Sequence, residues 1–155
     1  MKLRNLNMDV EVQIPKGLLN KIVDAGIKMY PKEYGGFLIG FYSEDFKTLH
    51  ITETILPSEY RNSKYSFERS AKGIKGELKR LYSLNPKQHY VGEWHTHPDN
   101  STQFSITDLN AMIEIAECKT VGINNPTLMI LSINKSRLND FEFYVYNDKK
   151  LLRYE

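Results

Sequence analysis

Hydrophobic and polar positions in the first third of the chain follow two different periods. Apolar residues occupy every second position in the segment 9–14, a pattern that predicts a short strand. Over residues 16–30 they recur at helical spacing instead, and Pro15 stands at the first turn of this predicted helix. Two strands are predicted next, one from the continuous apolar run Gly35–Tyr42 and one at residues 48–56.

The rest of the chain continues to alternate between helices and strands. Polar composition predicts a loop at residues 57–65. Five further elements are predicted from periodicity: helices at 70–82 and 105–117, and strands at 88–97, 127–133 and 141–147. No repeat, low-complexity tract or linker divides the chain. We therefore predict an α+β fold with a mixed sheet, in a single domain over residues 1–155.

Composition narrows the class of protein. Apolar residues make up 41% of the chain and charged residues 26%, which excludes a disordered or fibrous protein. The net charge of +2 is small and the basic residues are dispersed, so a nucleic-acid partner is not expected. The single cysteine, Cys118, is expected to be buried and fits a reducing compartment. We found no secretory signal or apolar span, so no membrane partner and a cytoplasmic location are expected.

The segment GEWHTHPDNSTQFSITD, residues 92–108, carries the most informative motif. His95 and His97 are two positions apart on a predicted strand, so both imidazoles project from the same face. Asp108, in the first turn of the next predicted helix, can reach the same point. Two nitrogens and one oxygen are ligands that zinc takes at catalytic sites, where a fourth position stays open. The spacing therefore predicts a Zn²⁺ site formed by these three residues.

Ser105 and Asp108 also mark the start of the third predicted helix. A serine at the N-cap and an acidic residue three positions later are typical of a capping box. The positive end of the helix dipole favours the ionised form of Asp108, which is the form that binds a metal. The hydroxyl of Ser105 is expected to point towards the metal and to donate a hydrogen bond to a developing oxyanion.

A hydrolytic metal site also needs a proton acceptor, and several carboxylates qualify. Glu33 lies at the end of the first predicted helix, directly before the buried strand GGFLIG. Glu93 shares the face of His95 by alternation and is a rival base or a residue that supports the ligands. Asp99 and the carboxylates of the third helix are further candidates. Spacing alone leaves this choice open.

The motif H-x-H-P-x(6)-S-x-x-D, together with Glu33 ahead of GGFLIG, resembles the JAMM motif of JAB/MPN-domain metallopeptidases. The resemblance covers nearly the whole chain and every signature position is present. It implies that His95, His97 and Asp108 hold zinc. It also implies that Glu33 is the general base and that Ser105 stabilises the transition state.

The fold implied by the resemblance is cytidine-deaminase-like, a curved sheet flanked by helices. Members of the family hydrolyse isopeptide or peptide bonds after the C-terminal glycine of ubiquitin or a ubiquitin-like protein. Phe104 is one departure, because many relatives have proline before the serine. This substitution removes no chemical group from the motif.

The phrase FERS, residues 67–70, followed by a helix and YVGEWHTHP, resembles small bacterial JAB proteins. These include proteins encoded beside E1- and E2-like proteins in CBASS anti-phage operons. There the JAB protein removes a nucleotidyltransferase (CD-NTase) from its conjugates. The resemblance thus implies a ubiquitin-like protein or a CD-NTase conjugate as substrate, and E1- and E2-like proteins as partners.

Other functions are compatible with the same residues. The chain could instead process sulfur-carrier or other ubiquitin-like proteins, or hydrolyse small peptides. A non-catalytic MPN-like binding module is a further alternative, although the intact ligand set argues against it. A relative associated with DNA repair is disfavoured because the chain lacks a basic and aromatic face.

Overall fold

The computed structural model describes residues 1–155, which form ten strands and three helices. The helices are α1 (Lys16–Lys28), α2 (Lys75–Tyr82) and α3 (Ile106–Glu117). The strands are β1 (Lys2–Asn5), β2 (Val10–Gln13), β3 (Gly35–Tyr42), β4 (Thr48–Ile55), β5 (Tyr60–Ser63), β6 (Ser66–Arg69), β7 (His89–Pro98), β8 (Thr127–Ile133), β9 (Leu138–Asn147) and β10 (Lys150–Arg153). None of the helices is long and apolar enough to cross a membrane.

Eight strands form one mixed sheet in the order β1-β2-β4-β3-β7-β8-β9-β10. The pairs β2·β4 and β7·β8 are parallel, and the other neighbours are antiparallel. The sheet curves until its two ends meet, since Arg4 and Glu155 exchange two backbone hydrogen bonds of 2.8 Å. The side chain of Asn5 adds hydrogen bonds of 3.1 Å to the carbonyls of Leu152 and Arg153. The predicted α+β fold with a mixed, curved sheet is confirmed.

The two faces of this sheet carry separate hydrophobic cores. The larger core packs α1 against the sheet and contains Ile22, Trp94 and Phe143. The smaller core packs α3 against the opposite face and contains Met112 and Tyr144. Consecutive residues of β9 therefore enter different cores, which is why both of its faces are apolar. The strand β7 lies in the middle of the sheet, between the two layers.

Three details of the secondary structure differ from the prediction. The loop predicted at 57–65 is wrong, because β5 and β6 form a hairpin that extends to Arg69. Its mostly exposed, polar strands lack the apolar alternation that periodicity detects. The second helix begins at Lys75 and not near Ser70, since Gly73 adopts a φ of +85° that no right-handed helix contains. The short outer strands β1 and β10 were also missed.

Two predictions about single side chains have opposite outcomes. Trp94 was expected to pack in the core, opposite to the histidines, and it is 1% exposed there. Its indole N–H donates to the hydroxyl of Thr54 at 2.8 Å. Cys118 was expected to be buried, which is wrong. It is exposed at the C-cap of α3, where the apolar face of the helix has already ended.

Candidate metal centre and its groove

His95 and His97 lie on the same face of β7, on the side of the sheet that α3 covers. Their Nε2 atoms are 3.1 Å apart, so both rings converge on one point. The intervening Thr96 and the preceding Trp94 face the other core, as the alternation of a strand requires. The side chains of the two histidines are only 13% and 11% exposed.

Asp108 reaches the same point from the first turn of α3. Its carboxylate oxygens lie 3.2 Å from Nε2 of His95 and 3.4 Å from Nε2 of His97. The predicted capping box is present and fixes this position. The backbone N–H of Ser105 donates to the Asp108 carboxylate at 2.8 Å, and the N–H of Asp108 donates to the Ser105 hydroxyl at 3.1 Å. One local motif therefore both starts the helix and orients a potential ligand.

These three side chains fit a tetrahedral metal ion. Ligand bonds of about 2.0–2.1 Å at tetrahedral angles place the ligand atoms roughly 3.3 Å apart. The two Nε2 atoms are 3.1 Å apart and one Asp108 oxygen lies 3.2 Å from His95, which agrees with that value; the other Asp108 oxygen makes the 3.4 Å contact with His97. Nδ1 of His97 lies 2.7 Å from the carbonyl oxygen of Ser101, so its proton is held there and Nε2 keeps its lone pair. The residues could therefore hold a metal ion.

The electrostatics of the cluster favour an ionised Asp108 and the protonated form of His97. Burial alone would raise the pKa of the Asp108 carboxyl, but hydrogen bonds to the two histidines and their charges hold that pKa well below its usual range. Burial likewise disfavours protonated His97, yet its contacts with Asp108 and Ser101 give a net rise in the pKa of His97. Asp108 is thus ionised at neutral pH, and protons compete with a metal for His97.

Glu33 borders the same groove from the segment between α1 and β3. Gly35 pairs with His95 in the register of β3 and β7, so the sheet itself brings Glu33 to the histidines. Its backbone is held by the hairpin, through Glu33 N–H to the Ser63 carbonyl at 2.8 Å and Asn62 Nδ2 to the Glu33 carbonyl at 2.9 Å. Burial raises the pKa of the Glu33 carboxyl, although His95 and His97 counteract this. A carboxylate with a raised pKa suits proton transfer near neutral pH.

Ser105 also lines the groove, and it is exposed. Because its hydroxyl accepts the hydrogen bond from the Asp108 N–H, the hydroxyl proton remains available for another acceptor. The structure thus brings together all five residues singled out from the motif: Glu33, His95, His97, Ser105 and Asp108. Their individual chemical roles remain predictions.

Two of the rival carboxylates, Glu93 and Asp99, have structural partners. One carboxylate oxygen of Glu93 accepts from Nε of Arg69 at 2.7 Å, from Nη2 of the same guanidinium, and from the Tyr90 hydroxyl at 3.1 Å. Asp99 accepts from the hydroxyl of Tyr30 at 2.5 Å. These contacts give Glu93 and Asp99 roles in fixing the surrounding segments, whereas the Glu33 carboxylate has no such partner.

A groove of about 1010 Å³ passes over the metal cluster. The β5–β6 hairpin forms one wall, with Tyr65 and Phe67, and α3 forms the other, with Asn110 and Glu114. Sequence analysis missed this hairpin wall and the anchoring role of Arg69. The phrase FERS had pointed to this segment only as a resemblance, and no periodic signal could have shown its structure.

Phe104 helps to anchor the loop before α3. Its ring packs edge-on against Tyr144, with the ring centroids 5.3 Å apart. The Tyr144 hydroxyl lies 2.8 Å from the carbonyl oxygen of Thr102, in the same loop, and 2.6 Å from a carboxylate oxygen of Glu142, so its single proton serves both acceptors. The loop between His97 and Ser105 is therefore anchored to β9 by aromatic packing and a buried hydrogen bond.

A mixed, curved sheet that carries a His-x-His strand beside an acidic helix cap defines a JAB-type domain. The sequence matches the family described as prokaryotic homologs of the JAB domain over residues 15–144, and the chain belongs to this family.

Individual relatives agree with this assignment. The chain is 32% identical over 121 residues to a protein of Enterobacter hormaechei subsp. hoffmannii (strain UCI 50) named CD-NTase/cGAS isopeptidase. The match covers 77% of this chain and 66% of that protein, slightly less than two thirds of its length.

Solved structures share the fold. A solution structure from Salinibacter ruber (strain DSM 13855) has a TM-score of 0.57 at 20% identity, over 91% of this chain and 85% of that one. A solution structure from Desulfitobacterium hafniense has a TM-score of 0.60 at 12% identity, over 92% and 88% of the two chains.

Proposed function

We propose that this protein is a zinc-dependent isopeptidase that removes a conjugated protein by cutting the bond after that protein's C-terminus. The observation that carries the proposal is the convergence of His95, His97 and Asp108, with nearest contacts of 3.1 to 3.4 Å, in a groove that Glu33 also borders. Family membership and the name of the Enterobacter relative support a hydrolytic role.

The three ligands favour zinc over magnesium or calcium. Two imidazoles and one carboxylate match the ligand sets of catalytic zinc sites, whereas magnesium and calcium prefer sites made of oxygen ligands. Zinc bound there would polarise the scissile carbonyl and lower the pKa of water at the site. The hydrogen bond from His97 to the Ser101 carbonyl orients one ligand for this purpose.

Protein side chains account for the proton transfers of the reaction. Glu33 accepts a proton from the attacking water as the water oxygen bonds to the carbonyl carbon. The Ser105 hydroxyl donates a hydrogen bond to the carbonyl oxygen as negative charge develops there. Glu33 then gives the proton to the departing nitrogen as the carbon–nitrogen bond breaks, which leaves a free carboxylate and a free amine. The raised pKa of Glu33 suits it to both steps.

A CD-NTase conjugate is the substrate that we propose. The Enterobacter relative is named for that activity, and the groove over the metal cluster lies between the β5–β6 hairpin and α3. E1- and E2-like proteins that form the conjugate would then be functional partners, in cytoplasmic anti-phage defence. We propose neither a nucleic acid nor a membrane as a partner.

The test uses a fluorescent peptide whose lysine side chain is joined to the C-terminus of a CD-NTase. The same pair joined through the α-amine tests linear cleavage, and a ubiquitin-like protein extended beyond its Gly-Gly terminus tests sulfur-carrier processing. We expect zinc-loaded protein to cut the isopeptide probe fastest. Preference for the Gly-Gly probe would favour the processing alternative, and a purified protein that binds no zinc and cuts none of the probes would favour a binding module.

Glu33→Gln is the matched inactive variant. It should retain one zinc per chain and lose at least about 100-fold in kcat, since general base catalysis contributes roughly 10²- to 10⁴-fold. Metal content measured on the same samples separates loss of the base from loss of zinc. Wild-type activity in this variant would contradict the role of Glu33.

A further inference from the structure

Thr96 lies between the two histidines in sequence, but it faces the opposite side of β7 and is fully buried. It makes two hydrogen bonds to one residue, Tyr34. The backbone N–H of Thr96 donates to the Tyr34 carbonyl at 2.8 Å, and the backbone N–H of Tyr34 donates to Oγ1 of Thr96 at 3.0 Å. We call this pair of bonds the Thr96 clasp. It joins positions that are 62 residues apart in the chain.

The clasp acts on the segment that carries Glu33. Tyr34 directly follows Glu33, so the position of the Tyr34 amide determines where the Glu33 backbone runs. The ring of Tyr34 is buried against Trp94 and Phe67, with centroids 6.0 and 5.7 Å away, which keeps the segment from shifting as a whole. The stretch 95–97 of β7 thus presents the two histidines on one face, and on its other face Thr96 bonds to the segment that carries Glu33.

Helix α1 fixes the rotamer that the clasp needs. A Cβ added at Gly26 would lie 2.5 Å from Cγ2 of Thr96, so the methyl group occupies the space left by this glycine. With the methyl group seated there, the hydroxyl points towards Tyr34. Both branches of the Thr96 side chain therefore make contacts: the methyl group packs against α1, and the hydroxyl accepts a hydrogen bond from the Tyr34 amide.

We propose that Thr96 is a positioning residue that sets the distance between Glu33 and the metal ligands through the Tyr34 amide. The inference rests on the proposed role of Glu33 as general base. A displacement of about 1 Å in a reacting group can reduce a rate by roughly 100-fold. A hydrogen bond on the far side of the strand can therefore control kcat without touching substrate or metal.

Two substitutions separate the hydroxyl from the shape of the side chain. Thr96→Val keeps the branched shape and removes the acceptor, whereas Thr96→Ser keeps the acceptor. We expect Thr96→Val to lose roughly 10- to 100-fold in kcat, with KM within about 3-fold of wild type and one zinc per chain. Thr96→Ser should recover most of the loss. Hydrogen exchange at the Tyr34 amide, followed by NMR on metal-free protein, should accelerate at least about 10-fold in Thr96→Val only.

A second pair of variants approaches the clasp from α1. Gly26→Ala should push Thr96 away and lower kcat, although alanine favours a helix by about 1 kcal/mol over glycine. Gly17→Ala is the control in the same helix, because its added Cβ has no neighbour within 4 Å. This pair also keeps the proposal testable if Thr96→Val fails to fold.

Unchanged kcat in Thr96→Val would overturn the proposal, and so would unchanged exchange at Tyr34. If wild-type protein cuts none of the probes, the proposed function fails, and the exchange data alone then decide whether the clasp holds the Glu33 segment. If KM rises while kcat is unchanged, Thr96 acts on substrate binding and the positioning role is wrong.

Discussion

Glu93→Gln distinguishes a structural carboxylate from a catalytic one in the same groove. Glu93 accepts three hydrogen bonds at one oxygen, two from the Arg69 guanidinium and one from the Tyr90 hydroxyl. Glutamine keeps the volume of the side chain and an acceptor oxygen, but it removes the charge that Arg69 neutralises. The substitution should therefore weaken the attachment of the β5–β6 hairpin to β7 and leave the metal ligands unaltered.

The size of the effect follows from the exposure of the pair. Breaking a fully buried ion pair by removing one partner costs about 3–5 kcal/mol. The side chains of Arg69 and Glu93 are 27% and 14% exposed, so water compensates part of the loss. We expect a free energy of unfolding lower by roughly 2–3 kcal/mol, between the values for exposed and buried pairs. For a chain of this length that corresponds to a Tm lower by about 4–12 °C.

Calorimetry and the isopeptide probe give the two measurements. Glu93→Gln should unfold at lower temperature while kcat stays within about 10-fold of wild type, whereas loss of a general base exceeds roughly 100-fold. Adding Arg69→Met should recover part of the stability, because no unpaired charge then remains. If Glu93→Gln instead loses activity as completely as Glu33→Gln and keeps the wild-type Tm, then Glu93 is the base and the assignment of Glu33 is wrong.

Three further predictions concern stability and metal binding. Burial raises the pKa of the Glu33 carboxyl, so its ionised form destabilises the folded state above that pKa. Metal-free Glu33→Gln should therefore have a higher Tm than the metal-free wild-type protein at neutral pH. This difference in Tm should vanish as the pH falls to the ordinary pKa of glutamate. A Tm difference independent of pH would contradict that reasoning. With free zinc at 100 times its Kd, bound zinc should stabilise the wild-type protein by about 2.7 kcal/mol, so that chelation lowers its Tm by roughly 5–11 °C. The Tm of His95→Ala should not change on chelation. An equal response in both would exclude His95 as a ligand. Tyr144→Phe should reduce the free energy of unfolding by about 1–2 kcal/mol in urea titrations, because the Thr102 carbonyl and the Glu142 carboxylate lose the donor that they share. An unchanged midpoint would show that this hydroxyl does not stabilise the loop.

Local patterns predicted those parts of the site that are close together in sequence. His95 and His97 needed only strand alternation, and the link between Ser105 and Asp108 needed only the chemistry of a helix start. Glu33 could be assigned only by resemblance, because its approach depends on the pairing of β3 with β7. Register between distant strands leaves no periodic signal in the sequence.

The parts that sequence reasoning missed have a common physical origin. The β5–β6 hairpin is held by Arg69, by Phe67 and by the backbone of Glu33, and all of these contacts are long-range. Its strands bury too little apolar surface to show alternation. Cys118 was misplaced for a related reason, since periodicity describes the face of a helix but not the residue at which the helix stops.

The meeting of the two ends of the sheet has a consequence for the behaviour of the protein at high concentration. Outer strands with unpaired backbone groups can recruit strands of other molecules and lead to aggregation. Here Arg4 and Glu155 satisfy one another, and the amide of Asn5 covers the carbonyls of Leu152 and Arg153. The fold therefore protects the margins of its main sheet where the two outer strands meet.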